Sequence, residues 1–125
     1  MTMASLAEVL EKCEETASWF GMSITSLDQK NYLDDTPLHT VCTWGDIDAV
    51  KTLLDAGANV NALGDHEGVP LFNAIIGRNA GVVRLLLERG ADPNVANSFG
   101  WTPLGHAETV GAPMEIIQLL RRAVK

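Results

Sequence analysis

Cysteine, aromatic residues and positive charge are all scarce in this chain. Its 125 residues include two cysteines, one tyrosine, three phenylalanines and three tryptophans, and nine Lys and Arg stand against 16 Asp and Glu. Cys13 and Cys42 form no Cys-x-x-Cys pair and have no histidines at ligand spacing, which argues against a disulfide framework and a structural zinc site. They read as small buried apolar residues. A net charge of -7 argues against binding along a nucleic-acid backbone, which needs clustered Lys and Arg to displace counterions. No apolar run approaches the length of a membrane span, so no membrane partner is expected. The opening MTMASLAEVLEKCEE turns acidic after a few apolar residues and has neither a basic start nor a cleavable apolar stretch, so a cytoplasmic protein is expected. Phosphate-cradling loops are missing too, because neither G-x-x-x-x-G-K-[ST] nor G-x-G-x-x-G occurs, and no cofactor is expected.

What is present suits one soluble domain. The apolar fraction is 46% and the charged fraction 20%, and a chain of this length can bury roughly two-thirds of its unfolded surface. The charge is uneven. Residues 1–70 carry 12 Asp and Glu against 3 Lys, whereas residues 71–125 carry 4 against 6 Lys and Arg. A basic protein partner on the N-terminal side fits that asymmetry.

The strongest internal signal is a period of 33 residues. TPLH at 36–39, VPLF at 69–72 and TPLG at 102–105 follow one another at that step, and so do Leu53-Leu54, Leu86-Leu87 and Leu119-Leu120. Gly57-Ala58-Asn59-Val60-Asn61 recurs as Gly90-Ala91-Asp92-Pro93-Asn94. Thr36 before Pro37, and Thr102 before Pro103, place a hydroxyl where it can accept a free helix N–H, with proline in the first turn. A short helix follows each. Gly45 and Asp46 break the first of these and cap a second, whose Ile47, Val50, Leu53 and Leu54 share one face. Gly57 ends that helix, and a stretch rich in Asn, Asp and Gly turns into the next unit. A helix pair this small cannot bury its own apolar face, so the units must stack.

These motifs resemble the ankyrin repeat, with its 33-residue period and T-P-L-H-x-A signature. The likeness covers residues 31–123 and implies an all-α solenoid of stacked helix-turn-helix units joined by hairpin loops. Three repeats are expected at 31–63, 64–96 and 97–125, forming one continuous domain with a capping helix or degenerate half repeat at 1–30. In that segment Ser5-Leu6-Ala7-Glu8 is a capping box, and Leu6, Leu10, Cys13, Ala17 and Phe20 form an apolar stripe. Arg121, Arg122 and Lys125 put positive charge at the last helix's C-terminus. The pattern departs from the family at Asp34, which stands where a hairpin glycine is usual, at Gly68, which comes one place late, at Val69, which replaces the capping threonine, and at Pro113-Met114.

DDTPLHTVCTWG at 34–45 raises the question of catalysis, because Asp35, His39 and Cys42 lie close together and a thiolate-imidazole pair is chemically attractive. The resemblance assigns His39 to a hydrogen-bonding scaffold role and Cys42 to packing, so no enzyme is expected. His39, His66 and His106 are too scattered for a metal. What the fold leaves variable is the concave face of hairpin tips and first-helix ends, where the family typically binds other proteins. Carried onto this chain, that face is Tyr32, Leu33, Asp35, Thr43 and Trp44 in repeat 1, Asp65, His66, Gly68, Ile76 and Gly77 in repeat 2, and Ser98, Phe99, Trp101, Thr109 and Val110 in repeat 3. Trp44 and Trp101 are hot spots by type, and the alternative is that each folds back on a neighbouring hairpin. The expected function is a non-catalytic protein-binding module. A narrower alternative is a bacterial immunity protein that occludes the active site of a cognate, possibly basic, toxin; a toxin gene next door would favour it. A monomer is expected, with self-association through the C-terminal face as the rival.

Overall fold

A computed structural model describes residues 5–124. Lys125, expected to add positive charge at the end of the last helix, lies outside the described residues. The described residues form seven α-helices and two short 3-10 turns, with no strand among them. The helices are α1 (Leu6–Glu14), α2 (Pro37–Trp44), α3 (Ile47–Asp55), α4 (Pro70–Gly77), α5 (Ala80–Glu88), α6 (Pro103–Val110) and α7 (Met114–Ala123). They build two layers: α2, α4 and α6 stack in an inner row, and α3, α5 and α7 in an outer one. Helix α1 packs on α3 and α2, which extends the outer row by one helix.

Local chemistry places the helix ends where the residue types require. Proline opens α2, α4 and α6, where its missing N–H costs nothing. Thr102 Oγ1 accepts the Gly105 N–H at 3.2 Å, and Asp46 and Asn79 cap α3 and α5 through their side-chain oxygens. Val69 supplies no such cap and is instead buried in the core. Ser5 Oγ accepts the Glu8 N–H and donates to the Glu8 carboxylate, so α1 is capped as its sequence indicates.

The stripe read along the N-terminal segment needs correction beyond Cys13. Helix α1 stops at Glu14, and a 3-10 turn over Ala17–Trp19 redirects the chain. Phe20 is therefore 76% exposed, and Trp19 takes the core position instead with no exposure at all. Its indole Nε1–H donates to Thr40 Oγ1 at 3.0 Å, which ties the segment to α2. On α3, Val50, Leu53 and Leu54 are buried as expected, but Ile47 at the first turn is well exposed. Successive units are stitched by polar bonds as well: Asn79 Nδ2 donates to the Gly45 carbonyl, and Asn61 bridges to Gly90 and Asp92.

The left-handed backbone positions keep the 33-residue step even where glycine is absent. Asp34, Glu67 and Gly100 all have positive φ, so the hairpin register is unchanged and the late Gly68, at φ -81°, does not shift the turn. His66 beside Glu67 is also left-handed, at φ 53°. At the end of the inner helices Gly45, Arg78 and Gly111 share the same conformation. A non-glycine residue there carries a steric cost that glycine avoids. Glu67→Gly and Arg78→Gly are therefore each expected to stabilise the fold by about 1 kcal/mol, read as a rise in the urea midpoint at unchanged m-value.

Candidate functional site

The inner-layer surface carries a cleft of about 320 Å³ between the hairpin tips of the second and third units. It lies among three repeated registers of the sequence, not every member of which lines it. Leu33, His66 and Phe99 are equivalent tip positions, Asp35, Gly68 and Trp101 close the hairpins, and Thr43, Ile76 and Thr109 end the inner helices. The cleft draws Asp35, Asp65, His66, Gly68, Ile76, Phe99 and Trp101 into one place. The His66 and Phe99 rings lie 4.6 Å apart and tilted, and Phe99 and Ile76 are among the most exposed apolar residues of the chain.

Hydrogen bonds hold this arrangement from below. Asn97 Oδ1 accepts the Phe99 and Trp101 N–H groups at 3.0 and 3.1 Å, so one side chain shapes the third tip. Asn31 does the same for Leu33 and Asp35 in the first unit. The second unit has Gly64 at that register, and its tip is held by its neighbours instead. Asp35 Oδ1 accepts the Asp65 N–H at 2.9 Å, and Ser98 N–H donates to the His66 carbonyl at 2.8 Å. His39 adds a third tie: its Nδ1 accepts the Thr36 N–H at 3.1 Å and its Nε2 donates to the Gly68 carbonyl at 2.9 Å.

Several expected members of the face lie outside this cleft. Asp35 is not left free by the fold: it is only 8% exposed and is bonded to the neighbouring hairpin, though it still lines the cleft. Gly77 belongs to the α2–α4 contact, where a Cβ would collide with the Cys42 carbonyl. Tyr32 and Leu33 line a separate hollow with Thr16, Ala17 and Ser18. Trp44 lines others with Thr16, towards Lys12 and Asp46 on one side and Thr43 on the other. Thr43 itself accepts from Asn73 Nδ2 at 3.0 Å. Thr109, Val110 and Ser98 are exposed but do not line the cleft. Phe72, Asn73, Asn97 and His106 do line it, although the sequence pattern did not single them out. Phe72 was signalled by VPLF, where the phenylalanine replaces the TPLH histidine; it meets His106 edge-on at 5.7 Å.

The thiol-imidazole alternative has no support in this geometry. Cys42 is fully buried, and burial pushes its thiol far up, away from the thiolate a nucleophile requires. Cys13, also buried, is pushed up to about 12 by desolvation and by Glu14. Both ring nitrogens of His39 are engaged in tying hairpins together.

Burial holds His39 below the usual histidine range, only partly offset by its bond to Gly68 and by Asp35. The folded state thus prefers the neutral ring, while the unfolded chain takes up a proton near the ordinary value of about 6.5. Stability is then present above that value and falls as pH drops through it. Between about pH 7.5 and 5.5 the wild type is expected to lose up to roughly 1.4 kcal/mol per unit below the unfolded pKa from this residue, and His39→Gln a visibly smaller amount, by urea titration at each pH. His106, lowered by the same cause, contributes in the same direction to both proteins.

The comparisons with known proteins agree with this architecture. The family model for ankyrin repeats in three copies matches residues 5–97. The chain belongs to the ankyrin repeat family. Ankyrin repeats mediate protein–protein interaction. Similar relatives include human BCL-6 corepressor-like protein 1, 38% identical over 55% of this chain and 4% of the relative. Mouse 2-5A-dependent ribonuclease is 41% identical over 56% of the chain and 10% of its own length. The Caenorhabditis elegans homolog of ankyrin repeat and LEM domain-containing protein 1 is 45% identical over 45% and 8% respectively. The chain spans a tenth or less of each of these proteins.

Proposed function

We propose that this chain is a non-catalytic protein-binding module whose docking surface is the cleft between the second and third hairpin tips. The observation that carries the reading is the clustering of Phe99, Trp101 and Ile76, all substantially exposed, around one concavity on the inner layer. Large exposed apolar groups gathered in a concave patch mark an interaction site, and a rigid aromatic gains contact area at little entropic cost. The tips also carry Asp34, Asp35, Asp65 and Glu67 against Lys30, which favours a basic partner and a fast, salt-sensitive encounter.

Trp101→Ala is expected to weaken partner capture by at least about 30-fold, the loss of a central hot spot, while the helical melting curve stays close to that of the wild type. Trp44→Ala, in its separate hollow, is expected to weaken it by less than about threefold. Immobilised variants challenged with a lysate and compared band by band provide the measurement. Equal capture by wild type and Trp101→Ala would remove the site from the cleft.

A further inference from the structure

The floor and walls of the cleft differ in character, and together they describe a side chain. Asp35 lines the cleft and also the adjoining hollow beside Trp44, more than nine-tenths buried, with Oδ1 accepting the Asp65 N–H and no hydrogen-bond partner for Oδ2 among the described residues. Asp65 stands at the rim with its side chain half exposed and its Oδ1 3.5 Å from His66 Nε2. Asn73 spends its amide N–H on Thr43, and its carbonyl oxygen has no hydrogen-bond partner among the described residues. Around these acceptors stand Phe72, Phe99 and Trp101, and no Lys or Arg lines the space.

We infer that the cleft receives the guanidinium of an arginine from a basic segment of the partner, an inference that rests on the protein-binding reading. A buried carboxylate lacking a full set of donors attracts a cation, and aromatic faces add to that attraction through their ring quadrupoles. The choice of arginine follows from shape. Its planar fork donates up to five N–H bonds to acceptors on one side and lies flat against rings on the other, whereas lysine presents a strongly hydrated point charge. The volume, about 320 Å³, accommodates one such side chain with its neighbouring backbone.

The test uses the full chain and a blocked tripeptide, acetyl-Gly-Arg-Gly-amide, followed by amide and indole NMR shifts. The expected result is saturable shifts at the Trp101 indole and at the Asp65 and Gly68 amides, with the lysine peptide binding several-fold more weakly and the uncharged citrulline peptide giving none. Asp35→Asn, which keeps an acceptor for the Asp65 N–H, is expected to weaken arginine binding about tenfold, and the rim variant Asp65→Asn about threefold. Absence of shifts at the cleft, or equal shifts with citrulline or lysine, would overturn the assignment. If those shifts are absent while Trp101→Ala still abolishes partner capture, arginine recognition fails and the protein-binding reading stands. If the shifts appear and Trp101→Ala captures partner normally, it is the protein-binding reading that fails.

Discussion

Trp19→Ala is expected to remove about 3–5 kcal/mol of stability, the largest single loss in this chain. Trp19 is fully buried where α1, the 3-10 turn and α2 converge, and its indole N–H is the donor to Thr40. Truncation leaves a large cavity at the end of the stack and strips the buried Thr40 hydroxyl of its donor, leaving only its own bond to the Thr36 carbonyl. In a linear array each unit is supported chiefly by its neighbours, so the loss is expected to appear as an early unfolding step of the N-terminal end. Trp19→Phe restores most of the ring volume but not the hydrogen bond, and about 1–2 kcal/mol is expected. Urea unfolding followed by far-ultraviolet circular dichroism reads both; a loss below about 1 kcal/mol for Trp19→Ala would mean that the N-terminal segment is not part of the cooperative core.

Gly64→Ala is expected to cost about 3 kcal/mol for a different reason, collision in place of cavity. A Cβ on Gly64 would lie 2.6 Å from His39 Nε2 and press on the Asp35 carboxylate, the two groups that hold the second hairpin to the first unit. Gly64 has φ -118°, outside the left-handed region, so the loss measures packing against the Asp35 carboxylate and the His39 ring and not backbone strain. In a double-mutant cycle with His39→Ala the two losses should be partly sub-additive, because removing the imidazole relieves one of the two clashes while the Asp35 carboxylate remains. Additive losses would place the clash elsewhere.

The repeat architecture was legible because each unit declares itself in short-range chemistry. Thr-Pro at a helix start, glycine at a helix end and paired leucines on one face act within a few residues, and the 33-residue recurrence multiplies the signal. The N-terminal end was harder. Continuing a three-and-four spacing past Cys13 assumed an unbroken helix, but the chain turns after Glu14, and once the helix ends a periodic argument cannot distinguish Trp19 from Phe20. The register of the hairpins survives substitutions at Asp34 and Glu67 because stacking imposes the left-handed conformation on residues that do not prefer it. That effect comes from neighbouring units, so the position of Gly68 in the sequence was a misleading guide.

The cleft was partly legible by the same logic. Tip and helix-end positions follow from the repeat, which brings His66, Ile76, Phe99 and Trp101 together without knowledge of contacts. Asp35 is fixed by a contact between units that the repeat alone does not specify. Its carboxylate accepts the Asp65 N–H, 30 residues away, and it has room to do so because Gly64 carries no side chain, a Cβ there colliding with the Asp35 carboxylate. Trp44 is placed on the inner face by the repeat register, but it lines hollows shared with Thr16 and not the cleft.

The most direct measurement of the central claim is amide hydrogen exchange of the chain alone and in complex with its captured partner. New protection is expected to concentrate in residues 65–68 and 97–101 and around Ile76, with α3, α5 and α7 unchanged. Protection confined to those outer helices, with the two hairpin tips exchanging as in the free chain, would contradict it.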